Sequence, residues 1–274
     1  MTTRNGSPVG NESKRDATLS YLAASSPKRS LELARGPRPR QPGISVVVPM
    51  FNEADNLARL LEELRAALDP LGVDYELVFV DDASRDQSVE LLRPHLGEQI
   101  RCVCLAENRG QSIAMEVGLR AARFDRVVLI DADLQNDPAD IPKLLERLEY
   151  FDAAYGVRAK RKDTAWKRFS SKVANRLRGR LLGDDSSDTG CTLKALRGEV
   201  VDRLTLFRGM HRFIPALVKM EGFTACELPV NHRDRHAGIT KYGTLDRLKQ
   251  SLPDLFGVLW LKSRYADFKA REVV

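Results

Sequence analysis

Between residues 43 and 150 the chain repeats one unit: a short β-branched, apolar run, a polar turn, and a stretch with apolar residues three and four apart. The first run is ISVVV at 44–48. It is followed by the turn 49–52 and a helix predicted from about 53 to 68, where Leu57, Leu60, Leu61, Leu64 and Leu68 recur at helical spacing. A second strand at 75–80 ends in Asp81 and Asp82, with a helix from about 86. A third at 101–105 precedes a helix at about 110–123, and a fourth at 126–130 ends in Asp131-Ala132-Asp133, with a helix from about 138. Strands alternating with helices of about 10–15 residues need crossover connections, which gives an α/β fold with a mostly parallel sheet and helices on both faces. Ligands of such sheets sit beyond the carboxyl ends of the strands. Every acidic cluster just named falls at such an end.

The net charge of +6 conceals a polarity. Residues 1–42 carry 8 basic and 3 acidic side chains, 43–150 carry 11 and 21, and 151–274 carry 25 and 14. An acidic block of that length inside the chain argues against a nucleic-acid binder. It favours a cation on one side and an anion on the other. The first 42 residues are rich in Ser, Pro, Gly and Arg without apolar periodicity, and read as a disordered basic tail. They hold no apolar stretch of the kind that marks a secretory signal. Cys102, Cys104, Cys191 and Cys226 form no CxxC pair, which disfavours a zinc site or a disulfide framework and predicts reduced, cytosolic thiols. The longest apolar stretch, 252–261, is half of the ~20 residues that a spanning helix needs.

From 158 to 180 there are ten Lys or Arg and one Asp, with Trp166, Phe169, Val173, Leu177 and Leu181 in helical register: an amphipathic basic helix. So lopsided a face is not built from i, i+4 ion pairs; it suits a phosphate ligand or an anionic membrane surface. Beyond it the pattern predicts a strand near 192–195, helices at 198–206 and 210–220, and a strand at 223–230. A loop with Arg233, Arg235, His236 and Lys241 follows, then a last helix at about 244–261 that either anchors at an interface or packs on the domain.

The chain has neither GxGxxG nor GxxxxGK[ST], so a nucleotide would be held by carboxylates rather than by a glycine-rich loop. Asp81 and Asp82 stand where base and ribose groups would be met, with Glu53 and the turn from Pro49 to Asn52; helix capping is the plain alternative for Asn52 and Asp86. Asp131 and Asp133, spaced i, i+2 after a buried strand, can turn toward one hard cation, with Gln135 adding a neutral oxygen. Asp137-Pro138 reads as a helix cap with Pro in the first turn.

The motifs VPMFNE (48–53), DDASRD (81–86), ENRGQSIAMEVGL (107–119), DADLQNDP (131–138), DTGCTLKALR (188–197), HRFIPAL (211–217) and HRDRHAGITKYG (232–243) together resemble family-2 glycosyltransferases of GT-A fold, over about 200 residues from 44 to 243. Within that family the resemblance is to the polyprenyl-phosphate sugar transferases, the dolichol-phosphate mannosyltransferase type. It implies a Rossmann-like GT-A domain at 43–243, a tail at 1–42, and a C-terminal amphipathic helix at 244–274 that lies at a membrane interface or on the domain. Pro49, Asn52, Glu53, Asp81, Asp82, Asp131, Arg212, Arg233 and Lys241 would bind the nucleotide-sugar, and Asp131, Asp133 and Gln135 would hold Mg²⁺ or Mn²⁺. Arg158, Lys167, Arg168 and Ser171 would meet the acceptor phosphate, with Asp133, Arg158 and Arg168 closest to the chemistry.

The implied activity is inverting transfer of a sugar from a GDP- or UDP-linked donor to dolichyl or undecaprenyl phosphate at the cytoplasmic membrane face. The enzyme would be peripheral or would borrow a membrane-protein partner, because many relatives continue into transmembrane helices. A lipid phosphate is already an ionised nucleophile, so Asp188 is expected to orient an arginine or cap its loop rather than accept a proton. The rival readings are transfer to a sugar hydroxyl in cell-envelope polysaccharide or glycolipid synthesis, which needs a base, and a non-catalytic GT-A scaffold. Asp188→Asn would stop the first and spare a phosphate-acceptor enzyme. Thr189-Gly-Cys-Thr192 departs from the Ser-Gly-Phe-Arg version frequent in mannosyl transferases, which leaves the donor sugar open.

Overall fold

The run at 44–48 forms the middle of β1 (Gln41–Met50), where every residue from 43 to 50 is buried. Unbroken burial of this kind marks a strand covered on both faces, and β2 (Tyr75–Asp81) has it too. The computed structural model describes residues 38–158, 179, 181–184, 186–204, 208–234 and 244–264, with the backbone alone for 244–252. The basic helix predicted between 158 and 180, and nearly all of the predicted tail, lie outside the described residues.

Five more strands complete one sheet: β3 (Ile100–Cys104), β4 (Phe124–Leu129), β5 (Ala153–Arg158), β6 (Lys194–Arg197) and β7 (Ala225–Val230), in the order β3-β2-β1-β4-β6-β5-β7. All pairings are parallel except those of β6, which runs against both β4 and β5. That reversal positions the site. Because β6 enters where its neighbours leave, Lys194 is in register with Leu129 on one side and Tyr155 on the other. The segment 188–194 is thereby brought to the carboxyl edge.

Helices α1 (Ala54–Leu68), α2 (Ser88–Leu92) and α4 (Ile141–Arg147) cover one face, with Leu57, Leu60, Leu64, Leu92 and Leu144 in a common core with Val46, Val48 and Phe79. On the other face α3 (Gln111–Ala121), α5 (Gly198–Arg203), α6 (Ile214–Met220) and α7 (Thr244–Arg264) pack Met115, Val200, Ile214 and Val258 against Val47, Val80 and Leu129. Each fully buried Leu, Ile or Phe contributes about 1.5–3 kcal/mol. The expected helix at 198–206 stops at Arg203, where Leu204 turns extended. Asp137 accepts from the Ala139 N–H with Pro138 next to it, the predicted cap.

At the amino edge a carboxylate is buried within the strands. Glu76, with no solvent exposure, accepts from Ser45 Oγ, Arg101, and both the backbone and side chain of Arg123. Burial pushes its carboxyl up, and these hydrogen bonds bring it below the ordinary value. Arg38 and Arg40, expected within the tail, instead reach Asp202 and the carbonyls of Leu119 and Ala122.

Candidate active site

Three non-glycine residues among those described have left-handed backbone: Asn52 (φ 57°), Ala83 (φ 60°) and Leu134 (φ 59°). Each follows a central strand, β1, β2 or β4, at the carboxyl edge. Such conformations cost about 1 kcal/mol or more apiece and persist where neighbouring bonds enforce them. Here the first two loops are laced together. Asn52 N–H donates to Ser84 Oγ (2.9 Å) and its Oδ1 accepts from the Arg85 N–H (2.7 Å), while Glu53 N–H donates to Ser88 Oγ (3.0 Å) and Ala54 N–H to Asp86 (3.1 Å). Glu53 also accepts from Asn56 Nδ2 at 2.8 Å, within its own helix entry.

Asp81 and Asp82 are both buried yet differ in role. Asp81 accepts from the Ser84 N–H (3.1 Å), and burial, with the charges of Asp86 and Asp82, raises its pKa. Asp82 accepts from the N–H groups of Arg109 (2.7 Å) and Gly110 (2.8 Å), one oxygen to each. It thus fixes the loop that opens α3, and α3 in turn supplies Gln111 and Ser112 to the site.

Asp131 lies at the centre. Its Oδ1 accepts from Gln111 Nε2 (2.7 Å) and its Oδ2 from Thr192 Oγ1 (2.6 Å). Burial, then the charge of Asp133, pushes its pKa up to about 6. Asp133, only 8% exposed, accepts from the Gln135 N–H. Two neighbouring carboxylates that repel each other, Asp133 buried and Asp131 half-buried, are what a cation would relieve. Among the described residues no group of three or more His, Cys, Asp or Glu gathers to enclose a metal. The donor set therefore suits a hard divalent ion held by one or two carboxylates and completed by substrate oxygens, as Mg²⁺ usually is. It does not suit an all-protein cage.

Beyond Asp131 the charge changes sign. Lys194, 2% exposed, donates to the Cys191 carbonyl and lies within electrostatic reach of Asp131, Asp188 and Arg158; burial lowers its pKa. Arg158, at the end of β5, grips Asp188 through Nε–Oδ2 and Nη2–Oδ1 contacts of 2.7 Å each. Asp188 also accepts from the N–H groups of Arg158 and Gly190, and a Cβ at position 190 would stand 2.8 Å from the guanidinium. Glycine is what lets that group lie flat on the loop. On the α3 side, His211 Nδ1 meets Ser112 Oγ at 2.6 Å, and burial with Arg212 nearby depresses the His211 pKa to about 3.

The structure thus gathers Asp131, Asp133, Gln135 and Arg158, with Asp81 and Asp82 two strands away at the same edge. Pro49 lies within β1, in register with Val80. Arg233 behaves differently from a free anion ligand: its N–H bonds the Gln135 carbonyl, but its guanidinium pairs with Glu63 (2.5 Å) and Asp137 (2.7 Å). Arg212 is half-buried, with Asp254 of α7 in electrostatic range. Lys167, Arg168, Ser171 and Lys241 lie outside the described residues. Gln111, Ser112, Thr192 and Lys194 received no role from the sequence, although they sit in the motifs at 107–119 and 188–197.

The model of Glycosyl transferase family 2 matches residues 45–205. An undecaprenyl-phosphate 4-deoxy-4-formamido-L-arabinose transferase of Pseudomonas aeruginosa is 39% identical over 216 residues, covering 77% of this chain and 63% of that protein. A dodecaprenyl-phosphate galacturonate synthase of Rhizobium johnstonii is 36% identical over 236 residues, covering 83% and 68%. The chain thus spans less than two thirds of the first relative's length. Among solved structures, glucosyl-3-phosphoglycerate synthase from Mycobacterium tuberculosis, in complex with Mn²⁺, uridine diphosphate and phosphoglyceric acid, superposes with a TM-score of 0.62 at 21% identity, over 82% of this chain and 80% of that one. That likeness establishes the GT-A fold. With the family match and the relatives, it follows that this chain belongs to glycosyl transferase family 2.

Proposed function

We propose that the chain transfers a sugar, with inversion, from a nucleoside-diphosphate donor to a polyprenyl phosphate. The names of both relatives carry a prenyl phosphate, which supports the acceptor, and the fold neighbour was solved with UDP. The observation that carries the reading is the state of the site's bases. Asp188 is clamped by Arg158 through both oxygens, and His211, with its pKa near 3, is a weak proton acceptor. A sugar hydroxyl must lose a proton to attack, whereas a phosphate monoester is already anionic.

In this reading Pro49, Asn52, Glu53 and Asp81 line the nucleoside end, and Asp82 keeps the 109–110 loop in place beside them. Asp131 and Asp133, with Gln135, would hold Mg²⁺ or Mn²⁺, which supplies positive charge to a departing diphosphate. Arg158, aimed by Asp188, draws the acceptor phosphate to the sugar, and buried Lys194 offsets the charge that gathers between two anions. A phosphate oxygen forms the new bond to the anomeric carbon as the bond to the diphosphate breaks on the opposite face. No proton moves. A donor panel tests this: GDP- and UDP-sugars with and without Mn²⁺, read by thermal shift. Saturation at 100 times Kd stabilises by about 2.7 kcal/mol. Absence of any donor-dependent shift would favour a non-catalytic scaffold.

The division into an N-terminal tail, a GT-A domain and a C-terminal helix belongs to the same proposal, as does location at the cytoplasmic face of a membrane. Among the described residues no helix is long and apolar enough to cross a bilayer. Helix α7 buries Val258 in the core while Phe256 (68% exposed) and Trp260 (64%) face outward. Lys262, which reaches the carbonyls of Leu181 and Leu182, and Arg264 follow. Aromatic residues bordered by cations suit an anionic lipid surface. Co-sedimentation with anionic vesicles should weaken in a Phe256→Ala/Trp260→Ala variant; undiminished binding would place the membrane contact elsewhere.

A further inference from the structure

Strand β3 is an edge of the sheet, and Cys102 and Cys104 sit two residues apart on it, hence on the same face. Their sulfurs are 3.8 Å apart; Cys104 is exposed and Cys102 half-buried. A disulfide would need about 2.05 Å between sulfurs. Two residues of strand span about 6.6 Å, close to the upper limit of about 6.8 Å between disulfide Cα atoms, so the pleat opposes that bond. The spacing fits another partner. Two sulfurs bound to one tetrahedral Zn²⁺ at about 2.3 Å stand about 3.8 Å apart.

We propose that Cys102 and Cys104 form a bidentate dithiolate site for a thiophilic divalent cation of the Zn²⁺ or Cd²⁺ class, with water in the remaining positions. The exchange is balanced without redox chemistry: two thiols release two protons, two metal–sulfur bonds form, and two waters leave the ion. The two sulfurs already lie within S–H···S reach of each other, so both face one point off the strand. The charged groups facing the pair are Asp81, in register with Cys104 on β2, and Glu90 and Arg93 from the α2 segment. Two carboxylates to one guanidinium favour a cation here. The i, i+2 spacing is outside the usual zinc-ligand spacings, which is why the cysteine pattern pointed away from a metal; strand geometry, not spacing, brings the sulfurs together.

The site is separate from Asp131 and Asp133 and its occupancy is read without activity. The reduced full chain is titrated with Cd²⁺ in the presence of Mg²⁺, following the thiolate-to-metal charge-transfer absorption and protection from alkylation by mass spectrometry. One Cd²⁺ per chain is expected, with alkylation of Cys104 slowed at least tenfold and of Cys226 unchanged. Cys102→Ser and Cys104→Ser should each lose the band, while Cys191→Ser and Cys226→Ser keep it. A band that survives Cys104→Ser would overturn the proposal, as would half an ion per chain, which signals a site shared between two chains. Ready conversion of the reduced pair to an intrachain disulfide without cadmium uptake would also overturn it.

Discussion

Asp188→Asn removes one charge from the Arg158 clamp without changing its size. The carboxylate is 5% exposed and Arg158 17% exposed at the side chain. Breaking a fully buried pair costs about 3–5 kcal/mol. Arg158 keeps some contact with water, so about 2–3 kcal/mol is expected here, with the new amide presenting an N–H toward the guanidinium. At about 2–4 °C per kcal/mol for a domain of this size, the melting temperature should fall by about 5–10 °C. Activity should fall further than stability. With Arg158 unaimed, kcat/KM for the acceptor should drop by about 100-fold, comparable with the loss of a positioned electrostatic contact, while donor affinity stays within twofold. A double-mutant cycle with Arg158→Gln, by urea denaturation, should return a coupling of about 2 kcal/mol. The geometry also removes the discrimination expected from sequence, because Asp188→Asn now impairs a phosphate-acceptor enzyme as well. Unchanged melting and full transfer would refute the clamp. Lost transfer with unchanged stability, and a pH–rate profile stripped of its acidic limb, would show Asp188 to be a base instead.

Asp133→Asn should abolish both transfer and Mn²⁺-dependent stabilisation by donor while circular dichroism is unchanged; retained metal dependence would remove Asp133 from the metal site. His211 is held neutral down to about pH 3, against about 6.5 when unfolded. The unfolded chain therefore binds the extra proton first. This contribution is fully present above pH 6.5 and is lost as pH falls toward 3, reaching about 2 kcal/mol at pH 5. Urea midpoints at pH 7 and 5 should show that loss in wild type and a flatter response in His211→Gln. Gly118→Ala places a Cβ 2.2 Å from Val47 Cγ1 and 3.1 Å from Val80 Cγ2, where α3 lies on the sheet. Overpacking of this kind costs about 1–3 kcal/mol, so its urea midpoint should fall with an unchanged slope.

Much of this site is legible in the amino-acid pattern. The β-branched runs at 44–48, 75–80 and 126–130 had to be buried strands, and their following carboxylates had to share an edge. What stayed hidden depends on contacts distant in sequence. Four residues of β6 carry no mark of their direction, yet its antiparallel entry brings Thr192 and Lys194 beside Asp131. Gln111 stands at a helix start in sequence, and only the Asp82 anchor of the preceding loop turns it toward Asp131. Arg233 illustrates the converse. Its charge suggested an anion site, and its partners Glu63 and Asp137, one of them 170 positions away, could not be named from pattern alone.

The central claim is that the acceptor is a phosphate, which attacks without a general base. It is tested most directly by offering undecaprenyl phosphate and undecaprenol side by side, with the donor that gives the largest thermal shift and Mn²⁺, across pH 6–9. Mass spectrometry should find the glycosylated lipid phosphate throughout that range, and no product from the alcohol. Transfer to undecaprenol that grows with pH, or equal use of the two lipids, would contradict the account.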